Sequence, residues 1–219
     1  YIDLMMDLEQ LFWVSDQTGD PRYRDAAISH ARKSATSLVR PDGSSIQWAY
    51  FDTANGSLLS QEKYQGYSNT STWSRGQAWG IYGYAMTFRE TGMTEFLTTA
   101  RSLADWFIDH LPADSVPLWD FDAPPNQPFR DTSAASIAAS GLLELARLET
   151  DPTRATRYTD AAARILTSLT SPAYLAQGTG NRGILQHGAL FVSFGHDDSA
   201  TSFGDYYFLE AANRYRGIW

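Results

Sequence analysis

Ala78-Trp79-Gly80-Ile81-Tyr82-Gly83-Tyr84-Ala85-Met86 lies inside a helical-length stretch (about 75–90) with no polar face. A helix without a side for water is buried all round. Three other stretches share that character: about 4–16 (Met5, Leu8, Leu11, Phe12, Trp13), 133–148 and 202–215. Between them lie helices of a second kind. From Arg22 to Leu38, Tyr23, Ala26, Ala27, His30, Ala31 and Leu38 oppose Arg22, Arg24, Asp25, Arg32 and Lys33. Apolar residues at such spacing make an amphipathic helix with one wet side. Phe96, Leu97, Ala100, Leu103, Ala104 and Phe107 repeat the pattern, continued by Ile108 and Leu111, as do Tyr158, Ala161, Ala162, Ile165, Leu166 and Leu169.

The links recur too. Thr18-Gly19-Asp20-Pro21, Thr91-Gly92 and Thr150-Asp151-Pro152 join the buried helices to the amphipathic ones. Gly ends a helix, Asp caps the next, and Pro is tolerated in its first turn. The unit of buried helix, tight turn and amphipathic helix occurs three times before an unpaired buried helix. Its spacing of about 60–70 residues is too loose for a short-period solenoid. An inner ring of buried helices inside an outer ring of wet-faced ones predicts an all-α fold, an α/α toroid of helical hairpins. The chain, 1–219, reads as a single domain of about seven helices. Ser45–Phe51 followed by Asn55-Gly56 predicts a short β-hairpin on one of the long return loops (about 40–73, 112–131 and 171–200). Loops of that length in a compact domain usually carry function.

Composition narrows the function. With 17 Lys+Arg against 25 Asp+Glu the net charge is −8, which argues against nucleic acid as the main partner and against anionic membrane surfaces. No run of 18 apolar residues exists to span a bilayer, and Tyr1–Met6 lacks the basic-then-apolar pattern of a signal peptide. The absence of cysteine excludes disulfides, thiolate catalysis and Cys-ligated metals. Aromatics make up 14% of the chain, including 7 Trp and 12 Tyr, a high share that either fills a large core or lines a concave site.

In a toroid the N-termini of the buried helices point to one mouth. Asp3, Trp73 to Trp79 with Arg75, Asp131 and Gly204-Asp205 all fall there. Carboxylates, Arg, Gln and Trp together suit a carbohydrate: Trp faces stack on sugar rings and Arg pairs with a carboxylate. For Asp131 and Asp205 helix capping competes with that role; for Arg75 bracing the mouth competes equally. Asp3, beside Met5, Met6 and Leu8, is costly there without a task or partner. His30 reads as a satisfied packing residue and His110 as a helix-dipole contact. His187 and His196-Asp197-Asp198 match no zinc or EF-hand spacing, and no phosphate-binding or nucleophile-elbow motif occurs.

On these residues the chain resembles the unsaturated glucuronyl hydrolases, glycosidases that act on unsaturated oligosaccharides left by polysaccharide lyases. The matching stretches are Ile2–Leu8 with Trp13 and Thr18–Tyr23, Asp42–Ser45, Gln65-Gly66 with Ser71–Gly80, Asp131–Ala134 and Gly204–Ala211. Unsaturated rhamnogalacturonyl hydrolases share the general plan, and a non-catalytic carbohydrate-binding module is the reading from a different class. The resemblance implies an (α/α)6 barrel of which this is the C-terminal part, with cytoplasmic location favoured. It implies hydration of a vinyl ether rather than direct attack at the anomeric carbon. Asp3 corresponds to the acid/base: it protonates C4, and water it deprotonates adds at C5. The substrate-binding set is Gln47, Gln65, Trp73, Arg75, Trp79 and His187, the substrate an unsaturated uronic-acid oligosaccharide, and neither metal nor organic cofactor is implied. Two residues depart from the family pattern: Gln47 stands where the family usually has His, and Asp7 where it has Asn.

Overall fold

A computed structural model describes residues 1–218. A 3-10 helix, Ile2–Met6, leads into α1 (Leu8–Thr18), followed by α2 (Pro21–Leu38), strands β1 (Trp48–Phe51) and β2 (Leu58–Glu62), α3 (Ser74–Thr91), α4 (Thr94–Asp109), α5 (Thr132–Leu148), α6 (Pro152–Leu169) and α7 (Ser202–Tyr215). The 3-10 helix with α1, then α3, α5 and α7, stand side by side in chain order. Each of α2, α4 and α6 packs outside the inner helix that precedes it. This is the two-layered α/α arrangement expected from the alternation of buried and amphipathic helices, and the β1–β2 hairpin sits on the first return loop.

The links close as local chemistry dictates. Gly19 (φ 69°) and Gly92 (φ 68°) end α1 and α3 in the left-handed conformation, and the Asp20 and Asp151 side chains accept from the backbone N–H of Arg22 and Thr153, each with Pro opening the helix. The apolar stripes of α4 and α6 are buried, except that Ile108 and Leu111 at the end of the first are only half-buried. That of α2 is rotated: Ala27, Ile28, Ala31, Ser34 and Leu38 are buried, whereas Tyr23 is 39% exposed and Ala26 is exposed. Its alanines carry too little apolar contrast to fix the face from sequence.

The first inner helix does not run unbroken from residue 4. It splits at Asp7, and the reason lies on α3. Three glycines in one helix cost about 1 kcal/mol each relative to alanine, so they need a packing role. Gly76, Gly80 and Gly83 open a groove that receives Ile2 and Met5, both fully buried. In a 3-10 turn residues i and i+3 eclipse, so Ile2 and Met5 enter that groove in one line and carry Asp3 with them. A Cβ on Gly83 would lie 2.5 Å from the Met5 Cβ and 3.3 Å from its carbonyl carbon. Gly83→Ala is therefore expected to destabilise the protein by about 1–3 kcal/mol from overpacking, outweighing its gain in helix propensity. A thermal-unfolding midpoint that held or rose would show that the groove relaxes.

At the end of the inner helices away from the Arg75–Asp131 cluster, the fully buried Glu144 is held by Arg89, Arg147 and Arg214, and Glu210 accepts from Tyr82 and Ser140. Together the arginines hold the Glu144 carboxyl below its ordinary range against the opposing effect of burial. A cavity of about 670 Å³ opens onto these groups. Its charged groups are already paired with one another. Among the described residues no helix is long and apolar enough to cross a membrane.

Candidate active site

Arg75, in the first turn of α3, organises the other end. It is 3% exposed. Nη1 donates to Asp131 Oδ2 at 2.6 Å and to the Ala189 carbonyl at 2.8 Å. Nη2 donates to Gln65 Oε1 at 2.6 Å and to the Leu190 carbonyl at 2.7 Å. A guanidinium has four N–H on its terminal nitrogens, and all four are used. Of the two roles open to Arg75, the structure shows bracing: it ties two loops to the helices. Asp131 does cap α5, accepting from Ser133 and Ala134 with Oδ1 while Oδ2 takes the arginine.

Trp73 packs beside Arg75. It is 4% exposed, packed with Trp119 and Ala189, and the Arg75 guanidinium lies 4.6 Å from its ring centre. Trp79 is half-buried, edge-on to Tyr207 and near Phe203, and keeps part of its surface open. Gln65 is half-exposed; Arg75 claims its oxygen, so its NH₂ is free to donate outward. Gln47 is 7% exposed and turns its oxygen to the backbone N–H of Tyr64, Gln65 and Gly66.

Asp3 sits on the turn seated in the glycine groove. Its Oδ2 is buried and has no hydrogen-bond partner among the described residues. Burial is the largest effect on its carboxyl and pushes the pKa up; the positive charge of Arg75 opposes the rise and Asp7 adds to it. An acid kept protonated to higher pH is what a proton donor needs.

His187 stands apart. It adopts φ 63°, and its ring meets Asp198 Oδ1 at 3.1 Å and the edge of Tyr174. With Phe129, Arg130 and Asp197 these groups line a separate cleft of about 330 Å³. Asp205 does not cap α7. Thr201 does, and the Asp205 carboxylate takes the N–H of Ile184 and Leu185, each at 3.0 Å. His30 is not satisfied: its Nε2 is buried without a partner among the described residues, and burial lowers its pKa. His110 stacks on Trp106 and bonds its carbonyl at the end of α4.

No family model matches the chain. Single relatives do. Unsaturated glucuronyl hydrolase from Bacillus sp. (strain GL1) is 43% identical over 99% of the chain and 59% of its own length. Its crystal structure superposes with a TM-score of 0.93. An unsaturated glucuronyl hydrolase specific for heparin gives a TM-score of 0.94 at 38% identity, over 99% of this chain and 59% of that one. The chain is a homologue of the unsaturated glucuronyl hydrolases.

It spans between 54% and 59% of the length of the curated relatives it matches. The unsaturated glucuronyl hydrolase of Streptococcus agalactiae, solved as a variant with dGlcA-GalNAc6S, matches the whole chain and 59% of its own at 35% identity, with a TM-score of 0.87.

Sequence reasoning missed two features around this site. One is an aromatic ladder: Tyr1 stacks on Trp48 (4.9 Å), Trp48 meets Tyr64 (5.3 Å), Tyr64 meets Phe191 (5.2 Å) and Phe191 meets Phe194 (4.5 Å). It joins the Asp3 turn, the hairpin, the Gln65 loop and the last return loop. The other is Asp120, fully buried between Trp119 and Phe121. A carboxylate flanked by two aromatics was the one available signal.

Proposed function

We propose that the chain carries the acid/base side of an unsaturated glucuronyl hydrolase site, releasing the terminal 4,5-unsaturated uronate of an oligosaccharide. The observation that carries this is the Asp3 carboxyl, raised in pKa, with its Oδ2 buried and without a partner among the described residues. Asp3 donates its proton to C4, and positive charge develops at C5, shared with the ring oxygen. Water adds at C5 and returns a proton to Asp3. The resulting hemiketal opens and expels the sugar that follows.

The surroundings have matching roles. The Gln65 amide, oriented by Arg75, offers donors to the uronate carboxylate or a hydroxyl. Trp79 and the exposed rings of Tyr64 (55%) and Phe194 (70%) offer faces to sugars. The test is the absorbance of the conjugated enoate in an unsaturated disaccharide, which falls as the protein turns it over. The Asp3→Asn variant should not produce that fall. Equal rates in the two proteins would end the assignment.

A pH prediction follows from the same group. The reaction needs the Asp3 proton, so activity declines as pH rises through its raised pKa. Asp7, one turn away, resists that ionisation. Asp7→Asn, which restores the usual family residue, is expected to move the alkaline limb of the pH–rate profile to lower pH. An unmoved limb would show that Asp7 does not act on Asp3.

A further inference from the structure

Four consecutive backbone N–H groups, those of Tyr64, Gln65, Gly66 and Tyr67, converge on two buried side chains. The first three reach Gln47 Oε1 at 2.9, 2.5 and 3.3 Å, and the fourth reaches Asp120 Oδ2 at 2.8 Å. Successive N–H groups form a concavity that attracts negative charge; here an internal amide oxygen fills it. Asp120 also takes the Ser71 hydroxyl at 2.8 Å and the N–H of Asp122 at 2.9 Å. Gly66 suits the narrow space between the clamps: a Cβ there would lie 3.1 Å from Asp120 Oδ2 and 3.2 Å from Trp73 Cβ. The main-chain carbonyl of Gln47 accepts the N–H of Ile2 at 3.0 Å, and Ile2 precedes Asp3. One residue therefore touches both the turn that carries the acid and the loop that carries Gln65.

We infer that Gln47, through its acceptor oxygen, acts with Asp120 as a positioning residue that fixes the Gln65 loop relative to Asp3. The catalytic part of this inference rests on the reading of Asp3 as acid/base; the clamp itself does not. The rival role for Gln47 is donation from its NH₂ to the substrate. Two near-isosteric variants separate them. Gln47→Glu keeps an oxygen acceptor for the three N–H and loses the donor. Gln47→Leu loses both.

The experiment reads amide hydrogen exchange of residues 64–66 and, separately, kcat and KM on an unsaturated disaccharide. In Gln47→Leu the three amides should exchange at least about 10-fold faster, and kcat should fall about 10- to 100-fold with KM changed less, since misplacement by about 1 Å can cost 10²-fold. Gln47→Glu should keep the protection and lose far less kcat than Gln47→Leu. Should Gln47→Leu fail to fold, Gln47→Asn withdraws the oxygen by one methylene and makes the same comparison. Unchanged exchange in the acceptor-lacking variant overturns the clamp whether or not the protein turns over substrate. Protected amides with kcat lost in Gln47→Glu assign Gln47 to the substrate instead. If the parent itself is inactive, the exchange data still decide the clamp, and the failure belongs to the reading of Asp3.

Discussion

Asp3→Asn is expected to remove turnover of unsaturated disaccharide by at least 10³-fold while leaving the helical circular dichroism intact. General acid–base catalysis contributes about 10²–10⁴. The upper part of that range applies because the same group both gives and takes the proton. The substitution keeps the side chain's shape and removes a charge that burial disfavours. Its stability effect has a definite sign. Between the unfolded carboxyl value and the raised folded one, the native state binds more protons than the unfolded state, so parent stability falls as pH rises through that window. The variant lacks that slope. At neutral pH it should be the more stable protein, with a higher Tm than the parent. Retained turnover would remove Asp3 from the reaction. Lost turnover with an unchanged Tm would keep the acid/base role and show that the carboxylate is paired when ionised.

Arg75→Met should be the most damaging substitution to stability. It leaves Asp131, which has no exposed surface, as an uncompensated buried charge, a change that typically costs about 3–5 kcal/mol. It also frees Gln65 and the Ala189–Leu190 carbonyls. A denaturant titration with circular dichroism measures the loss. Adding Asp131→Asn removes the stranded charge while keeping an oxygen for the cap of α5, so the double variant should recover part of the stability, the pattern expected of directly coupled neighbours. Additive losses, or a cost below about 1 kcal/mol for Arg75→Met alone, would show that the pair does not brace the site. Arg75→Lys should fall between, because one ammonium cannot serve a carboxylate, an amide oxygen and two carbonyls in the planar arrangement a guanidinium allows.

The sequence by itself determined the layering. Whether a helix has a wet side is written in its own residues at 3.6-residue spacing, so α3 and α5 read as inner helices, and α4 and α6 as outer ones, without any partner in view. The turns at Gly19, Asp20-Pro21, Gly92 and Asp151-Pro152 were equally legible, because caps act within four residues of themselves. Asp3 stood out for a local reason too: a carboxylate among Met5, Met6 and Leu8 conflicts with its neighbours. What only the tertiary structure decided is how polar groups are spent. Arg75 finds Asp131 56 positions away and the Leu190 carbonyl 115 positions away. Gln47 meets N–H groups across the hairpin, and Asp205 those of a preceding loop. A side chain's donors and acceptors carry no period, and their partners lie on return loops that follow none. Whether an arginine faces a ligand or a neighbouring carboxylate is therefore settled by where the loops pass, once the apolar helices have fixed where those loops begin and end.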